Sequence, residues 1–320
     1  MDHDHLPSAQ GEEEGDEAFG AEDRERTRHV PGVPSIGGPL RPHEFEGQVV
    51  FITGLARGQG RSHAYGFASL GADIAGIDRC DDLATVPYPL ANDADLDGTA
   101  AMVRKLGRRA VVEVGDVRDR VRLAAVVERV MDELGRIDVV VANAGIFSVG
   151  AAETLSPESW AEVIDVNLGG VWNTVQACLP AMISGNRGGS IVMTSSIGGL
   201  RGLLQCAHYV ASKHGVLGLV EALANELGSY GIRVNAVCPT NVNTPMIHNV
   251  ANYATFRPDL SHPTSADMVE PAKDMHLLAT PWIEPEDVTA AVTWLASRAA
   301  RFVTGIALPI DAGATTKVVN

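Results

Sequence analysis

Cysteine is scarce in this chain of 320 residues: Cys80, Cys178, Cys206 and Cys238 are the whole set, and none forms a C-x-x-C pair. That excludes a disulfide framework and a cysteine-based zinc site, and it fits a reduced, cytoplasmic protein. The ten histidines form no H-E-x-x-H or comparable ligand set, so no metal is expected. Long apolar runs are missing too. None approaches the roughly 18 residues that cross a bilayer, and the N-terminus has no apolar core of the signal-peptide type. Basic residues are outnumbered, 25 against 40 acids, for a formal net charge of −15. Such a balance disfavours nucleic acid as a partner. No internal repeat of solenoid length is present.

The charge imbalance is uneven. Residues 1–46 hold twelve acids and four bases. Residues 1–44 are also nearly free of large apolar side chains, so they cannot bury enough surface to offset their ordering entropy. They read as an acidic, mostly disordered tail ahead of a single domain at 45–320.

What is present is alternation. Gln48-Val49-Val50-Phe51-Ile52-Thr53 is short, apolar and β-branched, as in a strand covered on both faces. A glycine-rich turn, a helical pattern and a second strand, Asp73-Ile74-Ala75-Gly76-Ile77-Asp78, follow. The same rhythm places strands at 110–114, 137–141, 190–194, 232–237 and 305–310. Helices are expected near 94–106 and 119–134, unbroken from Ser156 to about Ile183, then at 207–229 and 286–297. Strands alternating with helices imply an α/β fold: a doubly wound parallel sheet of the Rossmann type, in three αβα layers. Two stretches break the rhythm. Residues 80–95, with Val86-Pro87-Tyr88-Pro89-Leu90, favour neither helix nor strand. Residues 243–285 are rich in Pro and Asn and read as an irregular lid carrying Met246, Ile247, Tyr253, Phe256, Met268, Met275, Leu277, Leu278 and Trp282. Phe147 and Trp160 could join the same wall.

Thr53-Gly54-Leu55-Ala56-Arg57-Gly58-Gln59-Gly60 lies between a strand and a helix. Glycines there let backbone approach a pyrophosphate, and the helix start offers free N–H groups. The spacing is not G-x-G-x-x-G, and a tight turn alone would also use glycine. Asp78, about twenty residues on, favours the dinucleotide, because its carboxylate can accept both ribose hydroxyls and repels a 2′-phosphate. That points to NAD, although Arg57 or Arg79 could meet a 2′-phosphate. Asp116-Val117 and Asn143-Ala144-Gly145 end the third and fourth strands, at the carboxyl edge where ligands of such sheets bind. Tyr209 and Lys213 are four apart, on one helix face. A tyrosine hydroxyl ordinarily titrates near about 10, and a neighbouring ammonium would lower that value.

Together these motifs resemble the short-chain dehydrogenase/reductase family over about residues 46–317. The resemblance rests on Thr53–Gly60, Asn143-Ala144-Gly145, Asn167, Ser196 and Tyr209-x-x-x-Lys213. It implies that Tyr209 is the general base for alcohol oxidation and that Lys213 binds the nicotinamide ribose and lowers the Tyr209 pKa. Ser196, rather than Ser195, would hold the substrate oxygen, and Asn167 a water leading from Lys213 to solvent. Pro239, Val242 and Thr244 would sit against the nicotinamide, with Thr240 standing where the family usually has glycine. A narrower likeness is to the carveol dehydrogenase group of the mycofactocin-associated members. It rests on Asp73–Cys80, Val86–Leu90, Pro239–Met246 and Phe256-Arg257-Pro258-Asp259-Leu260. It implies a hydrophobic, alicyclic or terpenoid secondary alcohol (or the matching ketone) as substrate. It also implies a non-exchangeable NAD and the mycofactocin redox carrier as electron acceptor. The extra segment at 80–95 could fold over the cofactor as a clasp, or be a surface insertion serving subunit contact, and the family resemblance implies a homotetramer. The alternatives are an exchangeable NAD(P)-dependent ketone or steroid reductase, and a non-catalytic dinucleotide sensor. The sensor would not need the Asn167, Ser196, Tyr209 and Lys213 set.

Overall fold

The computed structural model of the chain describes residues 40–318. The expected tail lies outside the described residues as far as residue 39. Order begins earlier than the strand pattern suggests. Residues 42–47 form a turn, and Phe45 is buried with its ring edge-on to Phe67 at 4.9 Å. Its N–H donates to the Leu70 carbonyl at 2.9 Å. One aromatic side chain thus anchors the stretch ahead of the first strand.

Seven strands form a single parallel sheet: β1 (Val49–Thr53), β2 (Asp73–Asp78), β3 (Ala110–Val114), β4 (Val139–Ala142), β5 (Gly189–Thr194), β6 (Ile232–Pro239) and β7 (Ala307–Ile310). Their order is β3-β2-β1-β4-β5-β6-β7. Ile52 pairs with Gly76 on one side and Val141 on the other. β1 and β4 are buried throughout, as their unbroken apolar runs require. The order reverses between β1 and β4, which opens a crevice at their carboxyl ends.

Two apolar cores cover the two faces. One packs α1 (Gly58–Ser69), α2 (Asp93–Lys105) and α9 (Pro285–Ala296) on the sheet. The other packs α3 (Arg120–Leu134), α4 (Pro157–Ile164), α5 (Gly170–Gly185) and α6 (Ala207–Leu227). The expected doubly wound, three-layer fold is what the chain forms.

The structure departs from the sequence reading in two places. The helix expected to run unbroken from Ser156 is split by a π-turn at Asp165–Gly169. The wide turn carries Asn167 inward, where its amide bonds both backbone groups of Ile146: it accepts the N–H at 2.8 Å and donates to the carbonyl at 2.9 Å. The stretch read as irregular contains α7 (Val250–Phe256) and α8 (Ser265–Lys273). Asn249 caps the first, and a Thr264/Asp267 capping box opens the second. These caps were present in the sequence, hidden among the prolines.

Candidate active site

The crevice at the β1/β4 switch holds two cavities. The smaller, about 140 Å³, runs over the turn after β1 and the end of β2. The larger, about 440 Å³, lies under the lid. They meet at Gln59, Gly145, Ile146, Thr244 and Met246, which line both.

The turn is built for close approach. Gly54 has φ +70°, and a Cβ there would stand 2.9 Å from the Ala144 Cα. A Cβ on Gly60 would fall 1.9 Å from the Gly54 carbonyl oxygen. Thr53 Oγ1 accepts the Asn143 and Ala144 N–H groups, each at 3.2 Å, so the β1 and β4 ends are knitted into one edge. The N-cap of α1, Arg57, makes no side-chain cap, and its first turn has no acid. Those N–H groups keep their positive dipole end uncompensated by side chains. Gln59 Oε1 is buried without a partner among the described residues.

Asp78 Oδ2 accepts the Ala56 N–H at 2.9 Å. Burial raises its pKa, opposed by that N–H, those of Cys80 and Arg79, and the Arg57 charge. Of the two arginines that could have met a 2′-phosphate, Arg57 lines the smaller cavity and its Nη2 donates to the Pro89 carbonyl at 2.5 Å, with no ion pair among the described residues. Arg79 pairs with Asp116 and, at 3.2 Å, with Asp81. Asp116 also takes Arg118 at 2.7 Å. Burial would raise the Asp116 pKa, but the Arg118 and Arg79 hydrogen bonds hold it below the ordinary carboxylate value. These features fit a dinucleotide without a 2′-phosphate.

Residues 80–95 lie across the smaller cavity, which Leu83, Tyr88, Leu90 and Ala91 line. The segment is fastened by Arg57 on Pro89, the Tyr88 hydroxyl accepting the Phe147 N–H at 3.0 Å, Thr85 on Glu162, and Arg61 on Asp95.

The larger cavity has Ser196, Tyr209 and Lys213 in its wall. Tyr209 and Lys213 are both buried, and the Lys213 Nζ sits 5.6 Å from the Tyr209 ring centre. Nζ donates to the Thr194 carbonyl at 2.8 Å. The expected depression of the Tyr209 pKa is not found. Burial pushes it up to about 12, with the neighbouring Ser196 side chain opposing the rise. Burial also lowers Lys213 to about 8. Desolvation outweighs proximity at this pair. The two serines are held differently: Ser195 Oγ donates to the Lys213 carbonyl at 2.9 Å, whereas Ser196 Oγ accepts the Gly198 N–H at 3.0 Å and lines the cavity with Tyr209.

Of the other expected residues, Gly54, Arg57, Gly58, Gln59, Asp78, Arg79, Asp116, Val117, Ala144 and Gly145 line the smaller cavity. Pro239 and Val242 line the larger, and Thr244 both. Ala56, Gly60, Asn143 and Asn167 line neither and instead shape the edge behind them. Asn167 has its amide closed on Ile146, so its side chain is a brace for the β4 loop.

The lid contributes fewer residues than its apolar content suggests. Met246, Ile247, Phe256 and Met275 line the cavity, and Phe147 stands edge-on to Tyr209 at 5.0 Å. Trp160, Leu277 and Leu278 are exposed outside it, Met268 is buried within the lid, and Trp282 packs on His248. The sequence reading missed Leu203, Leu204 and Cys206, on the loop between Ser196 and Tyr209. Their place between two site residues was the available signal. Thr240, the departure from the usual glycine, bonds the His276 Nε2 at 2.7 Å. The His276 Nδ1 donates to the Thr280 carbonyl at 2.7 Å, so Nε2 of the neutral ring accepts from Thr240. On the far side of the lid, the Leu277 and Leu278 N–H groups donate to the Ala312 carbonyl at 2.9 and 3.0 Å, and Lys317 reaches the Asp274 and His276 carbonyls.

A family model described as enoyl-(acyl carrier protein) reductase matches residues 54–315. The (-)-trans-carveol dehydrogenase of Rhodococcus erythropolis is 48% identical over 85% of this chain and 99% of its own length. The chain belongs to the short-chain dehydrogenase/reductase family. Among solved structures of short-chain dehydrogenases, carveol dehydrogenase from Mycobacterium avium in complex with NAD is 46% identical, with a TM-score of 0.84, covering 86% of this chain and 99% of that one. A short-chain dehydrogenase from Mycobacterium paratuberculosis bound to NAD is 43% identical, with a TM-score of 0.78 and coverage of 86% and 100%.

Proposed function

We propose that the chain oxidises a hydrophobic, alicyclic secondary alcohol of terpenoid type, with NAD as the hydride acceptor. One observation carries this reading: Tyr209 and Ser196 share the wall of a largely apolar cavity that opens onto the dinucleotide groove at Gly145 and Thr244. NAD, when bound, supplies hydride chemistry at its nicotinamide. Asp78 would accept its adenosine ribose hydroxyls, the N–H groups at the start of α1 its pyrophosphate, and Lys213 the second ribose.

The protein's own part is proton handling and exclusion of water. Ser196 orients the carbinol oxygen towards Tyr209. Tyr209 takes the hydroxyl proton, acting as general base in oxidation and as general acid in the reverse. Lys213 is poised near neutrality and passes the proton onward. Asn167 acts by bracing Ile146. Phe147, Met246 and Phe256 keep water from the reacting carbon.

The segment at 80–95 supports a resident NAD, because it lines the dinucleotide groove and is bonded to the elements around it. Electrons would then leave to a second carrier, for which the mycofactocin type is the reading carried by the sequence resemblance. A homotetramer is supported by the exposed Trp172, Trp294 and Phe302 on α5, on α9 and just before β7. The four free cysteines support the cytoplasm as its compartment, and no helix among the described residues is long and apolar enough to cross a membrane.

Turnover of a terpenoid alcohol with free NAD, compared with an artificial electron acceptor, tests the reading. Turnover with the acceptor, together with release of one NAD per chain on denaturation, is the expected result. Turnover with free NAD alone would favour the exchangeable reductase. No turnover and no NAD would leave the sensor.

A further inference from the structure

Arg201 lies five residues after Ser196, on the loop that walls the larger cavity, and it lines that cavity. Its Nη1 donates to the Ala314 carbonyl at 2.7 Å. Its Nε is buried and has no partner among the described residues, and no carboxylate there lies within ion-pair distance of the guanidinium. Nε and Nη2 form one edge of the guanidinium fork, the edge that matches a carboxylate bidentately. Elsewhere in this protein the same edge is filled. Arg136 puts Nε and Nη2 on Asp138 at 2.7 Å each, and Arg257 puts them on Asp259 at 2.8 and 2.7 Å. At Arg201 the edge is open. A buried donor left unpaired costs free energy that a ligand acceptor would recover.

We propose that Arg201 is a specificity residue and that the substrate is an alicyclic hydroxy acid, its carboxylate seated on the Nε–Nη2 edge and its carbinol at Tyr209. The proposal rests on the dehydrogenase reading above and narrows its substrate class. The rest of the wall here, Leu203, Leu204, Ile247 and Met275, is apolar and suits the ring between the two ends. The alternative is that Arg201 is a strut tying this loop to Ala314.

The test compares hydroxycyclohexane carboxylate with its isopropyl isostere, on the protein as purified, both by binding and by turnover with an artificial acceptor. The wild type should favour the acid by ~10-fold or more, and Arg201→Met should abolish or reverse that ratio while leaving the isostere within about twofold. Equal loss on both compounds, or an unchanged ratio, overturns the proposal in favour of the strut. If Arg201→Met does not fold, Arg201→Lys carries the test. It keeps the charge but loses the fork, so the acid should weaken severalfold and the isostere should not; parallel loss again overturns the proposal. Turnover without Arg201 dependence sinks this inference and leaves the dehydrogenase reading standing. Arg201-dependent binding of the acid without turnover does the reverse.

Discussion

The Tyr88 hydroxyl accepts the Phe147 N–H at 3.0 Å, and this single bond joins the segment over the cofactor groove to the wall of the substrate cavity. Phe147 in turn stands edge-on to Tyr209. Closure over one cavity and shape in the other are therefore mechanically linked. Tyr88→Phe removes the acceptor and leaves a part-buried N–H unpaired, at a cost of about 1–3 kcal/mol. NADH dissociation followed by stopped-flow fluorescence should accelerate, and the alcohol KM should rise while kcat changes less. Unchanged release would show that the bond does not hold the segment.

Adjacent serines should behave differently. Ser196 lines the substrate cavity with Tyr209, and Ser195 bonds the Lys213 carbonyl. Ser196→Ala is expected to lower kcat by ~100-fold with little change in melting temperature. Ser195→Ala should act mainly on stability, by about 1–3 kcal/mol. Tyr209→Phe should remove turnover and spare NADH binding. Steady-state kinetics beside thermal melts separates these outcomes, and near-normal turnover in Tyr209→Phe would remove the assigned base.

Lys213 makes stability depend on pH. Its folded pKa is about 8, below the ordinary lysine value of 10.5. Between those values the unfolded chain binds more protons, so stability rises with pH. The cost of burying the ammonium is complete below pH 8 and fades towards pH 10.5, a span worth on the order of 3 kcal/mol. Above about 10 the Tyr209 hydroxyl, held near 12, contributes with the opposite sign. Urea unfolding of wild type and Lys213→Met at pH 7.5 and 9.5 should show the wild type gaining ground. A constant difference would mean that the ammonium is not desolvated.

Gly60→Ala should destroy the groove. The added Cβ would stand 1.9 Å from the Gly54 carbonyl oxygen, which is backbone and cannot rotate away. NADH binding should fall by more than tenfold and the melting temperature should drop. Titration of the purified variant checks both, and ordinary binding would mean that the turn can open.

The sheet was legible because both faces of each central strand are covered, so β1 and β4 read as nearly unbroken apolar runs between helical patterns. The cofactor edge was legible because Gly54, Gly60 and Asp78 answer backbone geometry and charge, which local sequence records. The π-turn was not legible. Its cause is a contact between Asn167 and Ile146, 21 residues apart, with no local pattern to announce it. The lid misled for a similar reason: Met268 and Trp282 are apolar for packing inside the lid, whereas Leu203 and Cys206, on a loop that looked like a connection, face the cavity. The Tyr209 pKa was misjudged because proximity to Lys213 shows in sequence and desolvation does not.

The second half of the lid hangs from the segment after β7: Leu277 and Leu278 from Ala312, Asp274 and His276 from Lys317. This makes the C-terminal end a handle on substrate choice. A peptide tag or surface tether attached there would pull on Met275 and the Thr240–His276 pair first, while Gly54, Gly58 and Asp78 in the cofactor groove lie on β1, β2 and the turn between them. Immobilised protein should keep its nicotinamide and lose its discrimination among alcohols when held by that end.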